Sequence, residues 1–226
     1  EHLNQIIIRA KKLPFSQKNE VHPGAYLKND KIIVNCGTDD TEIYLNELAL
    51  GGKHNIYNSM AAALAAKATG ISNKVIKESL KSFCPIEHRL EPVRTVDGVL
   101  YINDSKATNV DSAWYALDCQ TKPVVWIVGG KDKGNDYSVL QKLVKEKVKA
   151  IVCMGLHNER IHEAFESIVG KDRIVDTDSA AGAVMAARNF AKNGDVVLLS
   201  PCCSSFDLFK NYEDRGDKFK EAVSSL

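Results

Sequence analysis

Five short apolar runs, VLYI (99–102), VVWIV (124–128), AIVCM (150–154), RIV (173–175) and VVLLS (196–200), alternate with segments of helical spacing such as Val184, Ala187 and Ala191. Strands this rich in Val, Ile and Leu bury both faces, and strands separated by helices cross over in the right-handed sense to a parallel neighbour. The pattern predicts an α/β fold for this part of the chain, a doubly wound and mostly parallel sheet.

Residues before about 86 read differently. Tyr26–Leu27, Lys31–Cys36 and Glu42–Leu48 have the look of short strands, the first two joined through the tight-turn pair Asn29-Asp30. After Gly51-Gly52 an Ala-rich helix is expected from Asn55 to Thr69, closed by Gly70, with a second helix opening at Ser72 or Asn73. These pieces show no obvious closed core and look like the tail of a domain whose beginning lies elsewhere. The expected division is 1–86 and 87–226, with the boundary in the segment CPIEHR.

The charge balance narrows the function classes. Thirty Lys and Arg face 29 acidic residues, a net charge of +1, so bulk electrostatics favours neither nucleic acid nor an anionic membrane and any anion needs a local site. Six cysteines without C-x-x-C spacing suggest reduced thiols and a cytoplasmic setting, and the histidines have no metal-ligand spacing.

Three strands are followed by unusually polar loops: NDSKATN (103–109), GGKDKGND (129–136) and SPCCSSFD (200–207). In parallel sheets ligands bind at the carboxyl ends of strands, where loops meet helix N-termini. Each loop also has a plainer reading. Thr108 or Asn109 could cap a helix, GGKDKG could be a turn, and Ser205 or Asp207 could be an N-cap. Cys202-Cys203 could be packed thiols, His88-Arg89 an exposed pair, and Asn55 a cap. Neither a G-x-x-x-x-G-K-[ST] loop nor a G-x-G-x-x-G fingerprint is present.

Taken in order, HNIYNSMAAALAA, EHRLE, INDSKATN, IVGGKDKGND and LLSPCCSSFDLFKNYEDRG resemble the Mur ligase family, and within it the D-glutamate-adding branch. The resemblance implies the tail of a central ATPase domain over 1–86 and a Rossmann-like, amino-acid-binding C-terminal domain over 87–226. The implied reaction is ADP-forming, ATP-dependent amide bond formation that adds D-glutamate to UDP-N-acetylmuramoyl-L-alanine for peptidoglycan. The chain is expected to be a fragment inactive by itself and monomeric, with ATP and Mg2+ as cofactors whose P-loop and metal ligands lie upstream.

The same resemblance implies residue roles. Asn55 and Asn58 would contact adenine, Arg89 phosphate, and Asp104 the ribose region, while Lys106 would sit near the reacting phosphate or carboxylate. Thr108, Lys133, Ser205 and the backbone N–H of Tyr212 would hold D-glutamate, whose two carboxylates call for at least two anion-binding groups. Tyr212 stands where the family commonly has Phe, and Cys202 where it has Ala. Arg215 matches a family arginine expected to act structurally or indirectly. The segment Cys84–Arg89 is the expected hinge for domain closure. A different ligase of the family is one rival reading. A non-catalytic nucleotide-binding or interaction module built on the same fold is another.

Overall fold

The Asn29-Asp30 pair sets the geometry of the first part of the protein. Both residues take positive φ, +48° and +56°, the double left-handed turn that matches the twist of a two-residue hairpin. It joins β2 (Gly24–Lys28) to β3 (Lys31–Asn35) with Lys28 opposite Lys31. The structure, a computed structural model, describes residues 10–36, 39–84 and 86–226. It divides into two units, Glu1–Pro85 and Ile86–Leu226.

In the first unit β1 (Phe15–Ser16) pairs in parallel with β2, and β4 (Thr41–Tyr44) is antiparallel to β3. β4 is shorter than the expected strand: Leu45–Glu47 form a 3-10 turn, whose first N–H donates to the Asp30 carbonyl. Helix α1 (Lys53–Ala68) begins two residues before Asn55, and α2 (Asn73–Lys81) is capped by Ser72, whose hydroxyl accepts from the Val75 N–H. The unit has a core that the sequence did not make obvious. Ala25, Ile32, Val34 and Ile43 from the sheet bury against Met60, Ala63 and Leu64 of α1 and Ile76 of α2. The run of alanines in α1 hid the buried face, because Ala marks neither side of a helix strongly.

The second unit is a six-stranded sheet in the order β5-β6-β10-β7-β8-β9. Its elements in chain order are β5 (Glu91–Val96), β6 (Val99–Asn103), α3 (Val110–Asp118), β7 (Val124–Gly129), α4 (Gln141–Lys147) and β8 (Val148–Met154), then α5 (Glu159–Val169), β9 (Ile174–Thr177), α6 (Ala180–Phe190), β10 (Val196–Cys202) and α7 (Tyr212–Ser224). Strands β6 to β10 are parallel, and β5 is an antiparallel edge strand that the apolar-run reading missed. Its residues are all partly or fully exposed, so it presents no buried apolar run, yet the Asp97-Gly98 turn that joins it to β6 is a hairpin signal, with φ of +51° and +76°.

Period-two alternation along the strands supplies two cores. Val124, Trp126, Ile151, Cys153, Val196 and Leu198 face α3, α4 and α5, whereas Val125, Ile127, Val152, Val197 and Leu199 face α6 and α7. The chain moves outward from β7 through β8 to β9 with its helices on one face. It then returns over the other face through α6 to place β10 between β6 and β7, which makes that central trio the point where chain direction reverses.

Candidate functional site

Because β6, β10 and β7 are adjacent and parallel, the loops leaving their carboxyl ends emerge on one edge. Arg215, in the first turn of α7, is where they meet. It is 1% exposed. Its Nε donates to Ser105 Oγ at 2.9 Å and its Nη2 to the Ser105 carbonyl at 2.9 Å, in the first loop. Its Nη1 donates to the Cys203 carbonyl at 3.1 Å, in the third. Gly130 of the second loop lies against the same group: a Cβ there would meet the Ser204 carbonyl at 2.4 Å and Arg215 Nη1 at 3.2 Å. With φ of +127° as well, only glycine fits this close approach. Burial pushes the Arg215 guanidinium down to about 10.

The remaining ties complete the frame. The Lys131 N–H donates to the Ser204 carbonyl at 2.9 Å, and the Ser204 hydroxyl returns a bond to the Lys131 carbonyl. Ser105 Oγ donates to the Tyr212 carbonyl at 2.8 Å, fastening the first loop to the start of α7. In the second loop Asp132 accepts from the backbone N–H groups of Gly134 and Asn135, from the Tyr137 hydroxyl and from Arg160. Those donors outweigh its partial burial and hold its carboxyl below the usual range. Lys133 is thus an exposed cation on a braced turn.

Lys106 is half-buried, and its Nζ lies 2.7 Å from the Tyr212 hydroxyl and 4.4 Å from the centre of that ring. Thr108 is half-buried and Ser205 buried. The structure assigns the caps elsewhere than Thr108, Ser205 or Asp207. Asn109 caps α3 by accepting from the Ser112 N–H, Asn211 caps α7 by accepting from the Asp214 N–H, and Asp207 Oδ2 accepts from the Leu156 N–H. Cys202 and Cys203 are buried thiols raised by desolvation, and Cys202 has φ of +61°.

Asp104 is 5% exposed, and both its carboxylate oxygens are used inside the unit: Oδ1 accepts from the Leu90 N–H at 3.1 Å and Oδ2 from the Ser200 hydroxyl at 2.8 Å. Desolvation raises its pKa to about 7, against the lowering effect of those bonds and of nearby Arg89, which is itself exposed. His88 is not the exposed residue that sequence suggested but is 4% exposed. Asn103 Nδ2 donates to His88 Nδ1 at 2.9 Å and to Glu91 Oε2 at 3.0 Å, and Glu91 Oε2 also accepts from the His88 N–H. The Lys106 N–H donates to the His88 carbonyl. His88, inside the expected hinge Cys84–Arg89, and Leu90, just after it, are therefore pinned to the first loop.

In the first unit, Asn58 is exposed on α1, while Asn55 is half-buried and its Nδ2 donates to the Gly51 carbonyl at 2.9 Å. Sequence reasoning missed His88, Asn103 and Ser105 as the groups that shape the first loop. The polar burst NDS after an apolar strand was the available signal, since a buried strand end needs side-chain partners for its backbone. Among the described residues no helix is long and apolar enough to cross a membrane.

Residues 88–203 match the family model described as Mur ligase, glutamate ligase domain. The chain is 51% identical over 219 residues to a UDP-N-acetylmuramoylalanine–D-glutamate ligase of Christiangramia forsetii, covering 97% of this chain and 49% of that protein. It is 48% identical over 221 residues to the enzyme of that name from Bacteroides fragilis, with 97% and 49% covered. The chain thus spans about half the length of the curated relatives it matches. Among solved structures, a pseudomurein peptide ligase type C from Methanothermus fervidus aligns with TM-score 0.64 at 18% identity over 92% of this chain and 42% of that one. The MurF ligase of Thermotoga maritima in complex with ADP aligns with TM-score 0.54 at 14% identity over 89% and 46%. At these identities the structural likeness speaks for the fold alone.

Proposed function

Since the chain belongs to the Mur ligase family, we propose that it is the amino-acid-binding part of an ADP-forming ligase that joins D-glutamate to UDP-N-acetylmuramoyl-L-alanine. The single observation that carries this reading is the convergence of three loops on Arg215, which groups Lys106, Thr108, Lys133, Ser205 and the N-terminus of α7 on one sheet edge. That edge offers the groups a dicarboxylic amino acid needs: a cation on a braced turn, hydroxyls, and the free N–H groups at a helix start.

In this reading Lys133 and the Tyr212 N–H each hold a carboxylate of D-glutamate, with the Thr108 and Ser205 hydroxyls as further donors. Lys106 neutralises charge at the acyl phosphate as the amine attacks it. Most of the work is positioning and stabilising anions, which a rigid frame does well. For the nucleotide, Asn55 and Asn58 of the first unit suit adenine, since an amide both donates and accepts. Arg89 suits a phosphate and Asp104 a ribose hydroxyl. Asp104 would have to exchange one of its present partners for that role. ATP when bound supplies the activated phosphoryl group.

Magnesium takes an octahedral shell of oxygen, much of it supplied by water and the phosphates of its nucleotide. Among the described residues the one group of three candidate metal ligands is Cys153, His162 and Asp176, which includes a thiol and an imidazole. Magnesium is assigned no ligand in this chain. The reading carries with it a cytoplasmic, monomeric enzyme.

The test is D-glutamate-dependent phosphate release from ATP, with UDP-N-acetylmuramoyl-L-alanine present, by a longer protein that includes both this chain and a P-loop. Activity is expected there, lost in Lys106→Ala and absent with L-glutamate, and this chain alone should release none. A longer protein that works equally well with Lys106→Ala, or with no D-glutamate, would refute the assignment.

A further inference from the structure

A second group of chemically reactive side chains lies at the outer part of the sheet. Cys153 and Asp176 are direct partners in the parallel ladder of β8 and β9, so their side chains leave the sheet on the same face. The crossover between those strands, α5, covers that face and brings His162 over the pair. One sulfur, one imidazole nitrogen and one carboxylate oxygen result, all within 4.8 Å of one another. His162 Nε2 lies 3.1 and 3.2 Å from the two oxygens of Asp176.

Two further contacts orient these groups from behind. His162 Nδ1 is 3.1 Å from Glu166 Oε2, one turn along α5. Asn158 Nδ2 donates to Asp176 Oδ1 at 3.0 Å, and Asn158, 8% exposed, keeps its own Oδ1 without a partner. A carboxylate behind the histidine and an amide behind the ligating carboxylate are the outer partners that fix ligand orientation in metal centres. In front, His162, Asp176, Asn158 and Glu159 line a cleft of about 860 Å³.

We propose that Cys153, His162 and Asp176 form a three-ligand site for a borderline-soft divalent ion of the zinc type, with its fourth position open to the cleft. Thiolate, imidazole and carboxylate together select such an ion over magnesium or calcium. Bonds of about 2.0–2.3 Å place tetrahedral ligands roughly 3.3–3.8 Å apart; His162 Nε2 and Asp176 are already near that spacing at 3.1 Å, and with all three atoms within 4.8 Å the sulfur needs to approach them by only about an ångström. The ion takes the place of two protons, the one on the Cys153 thiol and the one that His162 Nε2 directs at Asp176, and both leave to solvent as the metal–sulfur and metal–nitrogen bonds form. Three protein ligands with one open position is the arrangement of sites that bind water or a substrate atom rather than merely hold the fold. The site uses none of the residues assigned to D-glutamate or nucleotide and does not rest on the ligase reading.

The test uses this chain without nucleotide or glutamate. Zn2+ titrated calorimetrically is expected to bind one to one, and Co2+ to give a sulfur-to-metal charge-transfer band. His162→Gln and Asp176→Asn, both on the accessible side of the cluster, should weaken binding by at least about tenfold. Cys153→Ala should abolish the band, while Cys84→Ser and Cys119→Ser, which alter exposed thiols, should leave it. Circular dichroism of each variant checks that it is folded. Absence of saturable binding would mean that His162 serves only as a hydrogen-bonded link between Glu166 and Asp176. That result, or a charge-transfer band that survives in folded Cys153→Ala, overturns the proposal.

Discussion

Arg215 grips Ser105 twice, by Nε to the hydroxyl and by Nη2 to the carbonyl, both at 2.9 Å. No carboxylate shares in that grip. The guanidinium is held by neutral acceptors, the third being the Cys203 carbonyl, so its task is to satisfy loop backbone that would otherwise be buried without partners.

Magnitudes decide what its removal does. Burial disfavours the Arg215 charge by roughly 3 kcal/mol, judged from the drop from 12.5 to about 10. Three acceptors left bare would cost about 1–3 kcal/mol each. Taking the middle of that range, about 6 kcal/mol for the three, less the roughly 3 kcal/mol returned when the buried charge goes, Arg215→Met is expected to lower stability by about 3 kcal/mol and Arg215→Lys by less, as measured by urea unfolding. A change below about 1 kcal/mol for Arg215→Met would show that the loops do not depend on this group.

Asp104 makes stability depend on pH in the unusual direction for a carboxylate. Its folded pKa, about 7, stands above the unfolded value near 3.8, so the folded state holds the proton more tightly. Its contribution is fully present below about pH 4 and is lost as pH rises through 7, by an upper bound of roughly 4 kcal/mol. Asp104→Asn keeps the shape and can still accept from the Leu90 N–H, so its unfolding free energy should fall less between pH 4 and 7. Equal slopes in denaturant titrations of the two proteins over that window would contradict the claim.

Gly216 and His88 are packed so closely that helix propensity is reversed. Alanine is better than glycine in a helix by about 1 kcal/mol, and Gly216 lies within α7. A Cβ there would fall 2.2 Å from His88 Nδ1, and the buried ring is held by Asn103. Overpacking of that kind costs about 1–3 kcal/mol or more, so Gly216→Ala is expected to destabilise. Combining it with His88→Ala should recover part of the loss, a coupling that a double-mutant cycle measures. Simple additivity would remove the steric explanation.

The parts of this fold that sequence reveals are those governed by local rules. Buried strands such as VVWIV announce themselves by composition, and Asn29-Asp30 announces its turn because so few residues accept two positive φ values. Asp97-Gly98 carried the same signal for β5, but a half-exposed edge strand offers no apolar run to go with it. Nothing in the neighbourhood of Arg215 or His88 marks either as buried. Their partners come from loops that are distant in sequence, and burial of a charged or polar side chain depends on hydrogen bonds that exist only after those loops meet. That three polar loops share one edge was legible from where strands end, whereas the frame that ties them together was not.

The Tyr212 hydroxyl should shield Lys106. The ammonium is 2.7 Å from that oxygen and 4.4 Å from the ring centre; the hydrogen bond contributes about 1 kcal/mol and the ring contact about 0.5–1 kcal/mol. Tyr212→Phe removes only the first, and a difference of about 1 kcal/mol corresponds to roughly fivefold in the population of the released side chain. Modification of Lys106 by an amine-selective reagent, followed by peptide mass spectrometry with the exposed Lys133 as internal reference, should accordingly quicken by up to about fivefold in Tyr212→Phe. Tyr212→Ala, which loses both contacts, should quicken it further. If Lys106 reacts at the same rate in the wild type and Tyr212→Phe, the hydroxyl does not hold the lysine and has no bearing on where that cation rests.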